Sequence, residues 1–156
     1  MANTYYITKE KLEQIRKEYE AIKKALQEEI SGDIPNFLES NDPNPDFYLF
    51  EQNFEDLSSR AEVLENILKN YTIIKSPPGQ DQDKVQLGAR VIFSNGSANQ
   101  EEYKIVGTIE ANPFEGKISN ESPVGMAFLG KKVGDIINLP INKKNYKILR
   151  IDYKDA

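Results

Sequence analysis

Residues 8–30, TKEKLEQIRKEYEAIKKALQEEI, decide the fold. Within them Leu12, Ile15, Tyr19, Ile22 and Leu26 recur at steps alternating between three and four, Ile30 follows at a further four, and charged side chains lie between. Steps of three and four both return close to one helical turn, so the apolar residues form a heptad-like seam along one face of a helix. Thr8 supplies a hydroxyl able to accept from an orphan amide of the first turn, which starts the helix there.

Moving outward, Phe50, Phe54, Leu57, Ala61, Leu64, Leu68 and Tyr71 repeat the alternation and predict a second helix over about 47–70. Each helix is about 23 residues, or roughly 34 Å at 1.5 Å per residue. A lone amphipathic helix leaves its seam in water, so the two are expected to pair antiparallel as a coiled-coil hairpin. Phe50 and Phe54 fit that seam as core, whereas Tyr48 lies off it and is a candidate for contact with a partner. Between the helices, Ser31-Gly32-Asp33-Ile34-Pro35 and Asn41-Asp42-Pro43-Asn44-Pro45-Asp46 are rich in residues that stop helices or make turns. Two readings stay open for Pro35–Glu39: an irregular turn, or a kink followed by one or two more helical turns. Asp42 lies near the turn in both.

Beyond Lys75, Ser76-Pro77-Pro78-Gly79-Gln80 reads as a linker, stiffened by its prolines and broken by its glycine. After it the period changes to two. Residues 89–93 run into an Asn95-Gly96 turn, residues 102–106 follow, and Tyr146 to Tyr153 alternates near the end. Ser122-Pro123 opens a short helix through Leu129, with Ser as cap, Pro at the first position and Gly130 closing it. The expected class is therefore α+β: a hairpin over 1–75, a linker over 76–84, and a bent β-rich domain with one short helix over 85–156.

The chain has 156 residues, no cysteine and no histidine. That removes disulfides, Cys/His zinc sites, thiol nucleophiles and imidazole bases, and leaves carboxylate chemistry suited to hard cations such as magnesium. The net charge of −5 is unevenly placed: residues 1–75 hold 9 Lys/Arg and 15 Asp/Glu, residues 76–156 hold 11 and 10. Between Lys24 and Arg60 there is no basic residue at all, against nine acidic ones. Such a surface opposes phosphate backbones. No stretch reaches the roughly 20 apolar residues of a spanning helix and the start resembles no secretion signal, so a cytoplasmic location without membrane contact is expected.

The second half also resembles a known family. Tyr103-Lys104-Ile105-Val106-Gly107, Glu110-Ala111, Gly116-Lys117-Ile118-Ser119, Ser122-Pro123, Leu129-Gly130-Lys131 and Gly134-Asp135 are similar, in order and spacing, to the C-terminal domain of the GreA/GreB transcript-cleavage factors. The resemblance implies that the C-terminal domain is FKBP-like and docks on the rim of the secondary channel of bacterial RNA polymerase, and that the hairpin enters the channel. Tip carboxylates would then help hold a magnesium ion shared with the polymerase, which itself cleaves backtracked RNA. On that reading the chain is a monomeric activator and not an enzyme. It binds no metal stably alone, and it meets the nascent RNA 3′ end only within the complex. The implied metal-supporting candidates are Asp42, Asp46 and Glu39; Asp42 and Asp46 would be metal ligands only in the polymerase active site. The implied docking candidates are Ser122, Pro123, Met126, Phe128, Leu129 and Lys131, which periodicity does not divide between core and surface.

One motif departs from the family. The tip reads approximately G-D-L-x-E-N-A-E-Y there; here Asn41-Asp42-Pro43-Asn44-Pro45-Asp46-Phe47 lacks two residues between Asp42 and Asn44, and the first Glu has no clear counterpart. Distal basic residues are also missing. Cleavage stimulation therefore competes with a second expectation, a regulator that occupies the channel without promoting cleavage. Two further readings are a prolyl isomerase, which needs a deep aromatic-lined pocket, and a hairpin chaperone, which needs an exposed apolar tip where an acidic, proline-rich one is expected.

Overall fold

The computed structural model describes residues 4–39 and 41–154, with 38 and 39 described through their backbone. Contacts divide the chain into two units, Leu12–Asn70 and the combination of Met1–Lys11 with Tyr71–Ala156. This division runs elsewhere than the expected boundary at Lys75, because short strands at both ends of the helical segment belong with the β unit.

In the helical unit, α1 covers Lys9–Ser31 and α2 covers Pro45–Lys69. Thr8 caps α1 as expected: its Oγ1 accepts from the Lys11 N–H at 3.2 Å. Gly32 ends it, its N–H closing on the Glu28 carbonyl at 3.0 Å. The second helix starts two residues before its seam suggests. Asn44 Oδ1 accepts from the Asp46 N–H at 3.0 Å, and Pro45, at the first position, gives up only an N–H that would have lacked a partner.

The seam buries Leu12, Ile15 and Ile22 on α1 and Leu64 and Ile67 on α2. Burial falls on Ile67, a step of three from Leu64, while the expected Leu68 is only half-buried. Ile30, in the last turn of α1, is 59% exposed, and Phe50 and Phe54 are half-buried. Arg60 on α2 donates through Nε and Nη2 to the two carboxylate oxygens of Glu18 on α1, at 2.6 and 3.0 Å. That hydrogen bond raises the guanidinium's already high pKa. Both side chains are about half exposed, so solvent screening limits the pair to about 0.2–1 kcal/mol.

Two short pairings escape the period-based reading. Strands β2 (Leu38–Glu39) and β3 (Asp42–Pro43) form a minimal antiparallel hairpin between the helices, with Glu39 opposite Asp42. Residues 33–36 are irregular, which settles the open choice at Pro35 against a continued helix. In the β unit, β1 (Tyr5–Ile7) pairs in parallel with β4 (Tyr71–Ile73). Tyr71 therefore sits on a strand and not on the seam of α2.

The main sheet has the order β7-β6-β5-β9-β8, built from β5 (Arg90–Ser94), β6 (Glu101–Val106), β7 (Lys117–Ser119), β8 (Ile136–Asn138) and β9 (Asn145–Asp152). The β6–β7 pair is parallel and the others antiparallel, with a register shift between Ile92 and Phe93 where β5 meets β9. Such an irregularity increases local twist and bends the sheet. The helix α3 (Pro123–Phe128) packs against β7 and β8, and Val91, Phe93, Ile105, Phe128 and Ile148 are completely buried in the shared core. Residues 76–84 do not hang free: Ser76 Oγ donates to the Tyr153 carbonyl at 3.1 Å, and Lys84 bridges to Lys132.

Tyr153 pins the entry to this unit. Its hydroxyl accepts from the Gln86 N–H at 2.9 Å and donates to the Lys84 carbonyl, and burial pushes its pKa up. Tyr153→Phe leaves both backbone groups unpaired, so we expect a loss of about 1–3 kcal/mol in urea unfolding. A loss under about 0.5 kcal/mol would show that water replaces the hydroxyl.

Candidate functional site

The tip of the hairpin carries the acidic candidates. Asp42 lies on β3 and Asp46 in the first turn of α2, and both are exposed. Their separation does not follow the four-residue helical geometry, because Pro43 lies on a strand and Pro45 starts the helix. Instead the backbone register sets Glu39 opposite Asp42. Cross-strand partners are the closest neighbours a two-strand ribbon offers. The pairing could not be read from a two-residue strand, which is too short to show a period.

Carboxylate oxygens are the donors that magnesium prefers, so Asp42, Asp46 and Glu39 are of the right chemical type. Among the described residues no three Asp, Glu, His or Cys come together as a metal site.

Beside the acidic positions lies an apolar group that includes Tyr48, the residue expected to lie off the seam. Phe37, Phe47 and Tyr48 meet edge to face, with centroids 5.3, 6.0 and 6.1 Å apart. Phe37 is 54% and Tyr48 46% exposed. The expectation of an acidic tip without exposed apolar surface is therefore corrected: it has both, because a turn this short has no interior in which to bury three rings.

In the β unit the structure divides the α3 candidates. Ser122 caps the helix, its Oγ accepting from the Gly125 N–H at 3.1 Å and donating to the Ser119 carbonyl at 2.7 Å. Pro123, Met126 and Lys131 are exposed, and Leu129 packs partly against the core. Phe128 is fully buried, its ring 5.0 Å from that of Phe93 and 5.9 Å from that of Tyr103. It is thereby removed from the docking candidates, since a ring holding the core together has no face left for a partner. Gly125 is also committed: a Cβ there would lie 1.9 Å from the Ser119 carbonyl oxygen.

A groove of about 590 Å³ in the same unit is lined by Lys9, Lys75, Lys104 and Lys117 together with Glu10 and Glu110, and no aromatic ring reaches it. The Glu110 carboxylate accepts from the Thr8 N–H and hydroxyl at 2.8 and 2.7 Å. Such a lining lacks the apolar, aromatic chemistry that a prolyl-isomerase site requires.

Fold and tip together define an α+β protein in which a helical hairpin presents acidic positions on its turn. Residues 80–153 match the family model described as "Transcription elongation factor, GreA/GreB, C-term". The chain is 35% identical over 157 residues to the transcription elongation factor GreA of Lactococcus lactis subsp. cremoris, covering 97% of this chain and all of that one. It is 37% identical over 152 residues to the GreA of Clostridium acetobutylicum, covering 94% and 96%. Among solved structures, the GreA factor homolog 1 (Gfh1) protein of Thermus thermophilus is 27% identical, with 96% and 99% covered and a TM-score of 0.42. The chain belongs to the GreA/GreB family of transcription elongation factors.

Proposed function

We propose that this chain is a secondary-channel elongation factor of bacterial RNA polymerase that stimulates the polymerase's own cleavage of backtracked RNA. The observation that carries the reading is the register of the tip, which sets the acidic positions 39 and 42 opposite one another on the turn between α1 and α2. A divalent cation held there and by the polymerase would stabilise the attacking and leaving oxygens of an in-line phosphoryl displacement. The chain's own part is to bring negative charge, with Asp42 and Glu39 as the supporting pair and Asp46 contributing from the first turn of α2. It provides no nucleophile, and so acts as an activator and not as an enzyme. Pro123, Met126 and Lys131 around α3 are the surface assigned to docking, with Ser122 shaping the helix start and Leu129 its underside.

The exposed rings beside the carboxylates favour a second reading, in which the tip fills the channel and obstructs it without aiding cleavage.

The test adds the protein to stalled, backtracked elongation complexes with magnesium and follows RNA length. Short 3′ fragments are expected with the wild type, and Asp42→Asn should slow their appearance about 10- to 100-fold. Slowed elongation without fragments would establish the obstructing reading instead. No effect on either, with no binding to polymerase, would end both.

A further inference from the structure

The three rings at the tip have no role in the proposed chemistry, and two of them, Phe37 and Tyr48, are exposed. Phe37, Tyr48 and Leu49 are between 46 and 58% exposed, and Ile34 is 51% exposed. Of these, Phe37 and Tyr48 touch each other and Phe47, and exposed rings gathered in this way mark a site of contact. The edge-to-face packing already restrains the rings, so ordering them on binding costs little further entropy.

Charge selects the occupant. In α1 the Lys23 ammonium lies 5.4 Å from the centre of the Tyr19 ring, so the hairpin supplies that ring with a cation of its own. The tip rings have no such supply, since no Lys or Arg occurs between Lys24 and Arg60, while nine carboxylates do. The helical unit, Leu12–Asn70, carries 6 Lys/Arg and 14 Asp/Glu. An RNA strand stacking its bases here would bring phosphates into that field. A second hairpin would bring a further net charge of the same sign. A protein segment bearing Arg or Lys together with apolar side chains gains on all counts: cation on ring, cation against carboxylate, and buried apolar area.

We propose that Phe37, Phe47 and Tyr48 form a docking surface for a basic, apolar-bearing protein segment of the polymerase, separate from the acidic positions that face the reacting RNA. The inference rests on the polymerase reading given above.

The experiment replaces Tyr48 in the full chain with the photoreactive p-benzoylphenylalanine and irradiates it in backtracked elongation complexes carrying labelled RNA, alongside a binding assay for wild type and Phe37→Ala. The expected result is an adduct with a polymerase polypeptide at a segment containing Lys or Arg, with Phe37→Ala weakening binding about 5- to 30-fold. An adduct with the RNA overturns the inference in favour of base stacking, and an adduct between two copies of the chain overturns it in favour of self-association. Binding without any adduct at Tyr48 overturns it while leaving the polymerase reading intact. Failure of the wild type to bind polymerase removes that reading, and this inference with it.

Discussion

Phe128→Ala is expected to destabilise the β unit by about 3–5 kcal/mol, the cost of emptying a filled aromatic site whose neighbours relax only in part. The ring is fully buried and lies among those of Phe93 and Tyr103, with Val91, Ile105 and Ile148 in the same core. Domains of this kind have roughly 5–15 kcal/mol in total, so the loss is a large fraction of it. Met126, two residues away on the same short helix, is 57% exposed, and Met126→Ala should change stability by no more than about 0.5 kcal/mol. Urea unfolding followed by tyrosine fluorescence and by peptide-resolved hydrogen exchange measures both. Comparable losses at the two positions would mean that α3 is rotated from the orientation described, and would return Phe128 to the docking surface in place of Met126.

Gly107→Ala should detach β1. A Cβ at this position would lie 2.0 Å from the Tyr6 carbonyl oxygen and 3.0 Å from its carbonyl carbon. Both are backbone atoms, so no rotamer relieves the clash. The φ of Gly107 is −70°, which alanine adopts without strain, so the whole effect comes from lost space. When Tyr6 moves, the parallel pairing with Thr72, the complete burial of Ile7 and the Thr8 bonds to Glu110 are lost together. The Ile74 N–H, which donates to the Ile7 carbonyl at 2.9 Å, reports this directly. Its hydrogen exchange should accelerate by about a hundredfold or more, corresponding to a local opening made easier by about 3 kcal/mol. Unchanged exchange at Ile74 would show that β1 does not pack over Gly107.

These two positions also mark where sequence reasoning stops. Gly107 stands in the run from Tyr103 that carried the family resemblance, yet nothing local shows why it is glycine. The reason is an approach by residue 6, about a hundred positions away in the chain. Phe128 and Met126 are both apolar residues of one six-residue helix, too short for periodicity to tell its inner face from its outer one.

What the sequence by itself determined is whatever repeats or punctuates locally. The three-and-four spacing from Leu12 to Ile30 and from Phe50 to Leu68 specified two helices, Thr8 and Ser122-Pro123 specified helix starts, and Asn95-Gly96 specified a turn between strands. The lack of any cation from residue 25 to 59 gave the hairpin turn its acidic character. Tertiary structure alone decided the β1–β4 pair, the setting of Glu39 opposite Asp42, the gathering of Phe37 with Phe47 and Tyr48, and the assignment of Phe128 to the core. Each of these joins segments of two or three residues, or chooses one face of a short element. A period needs several repeats to be visible, whereas a contact between distant segments needs only that both surfaces meet when the chain has folded.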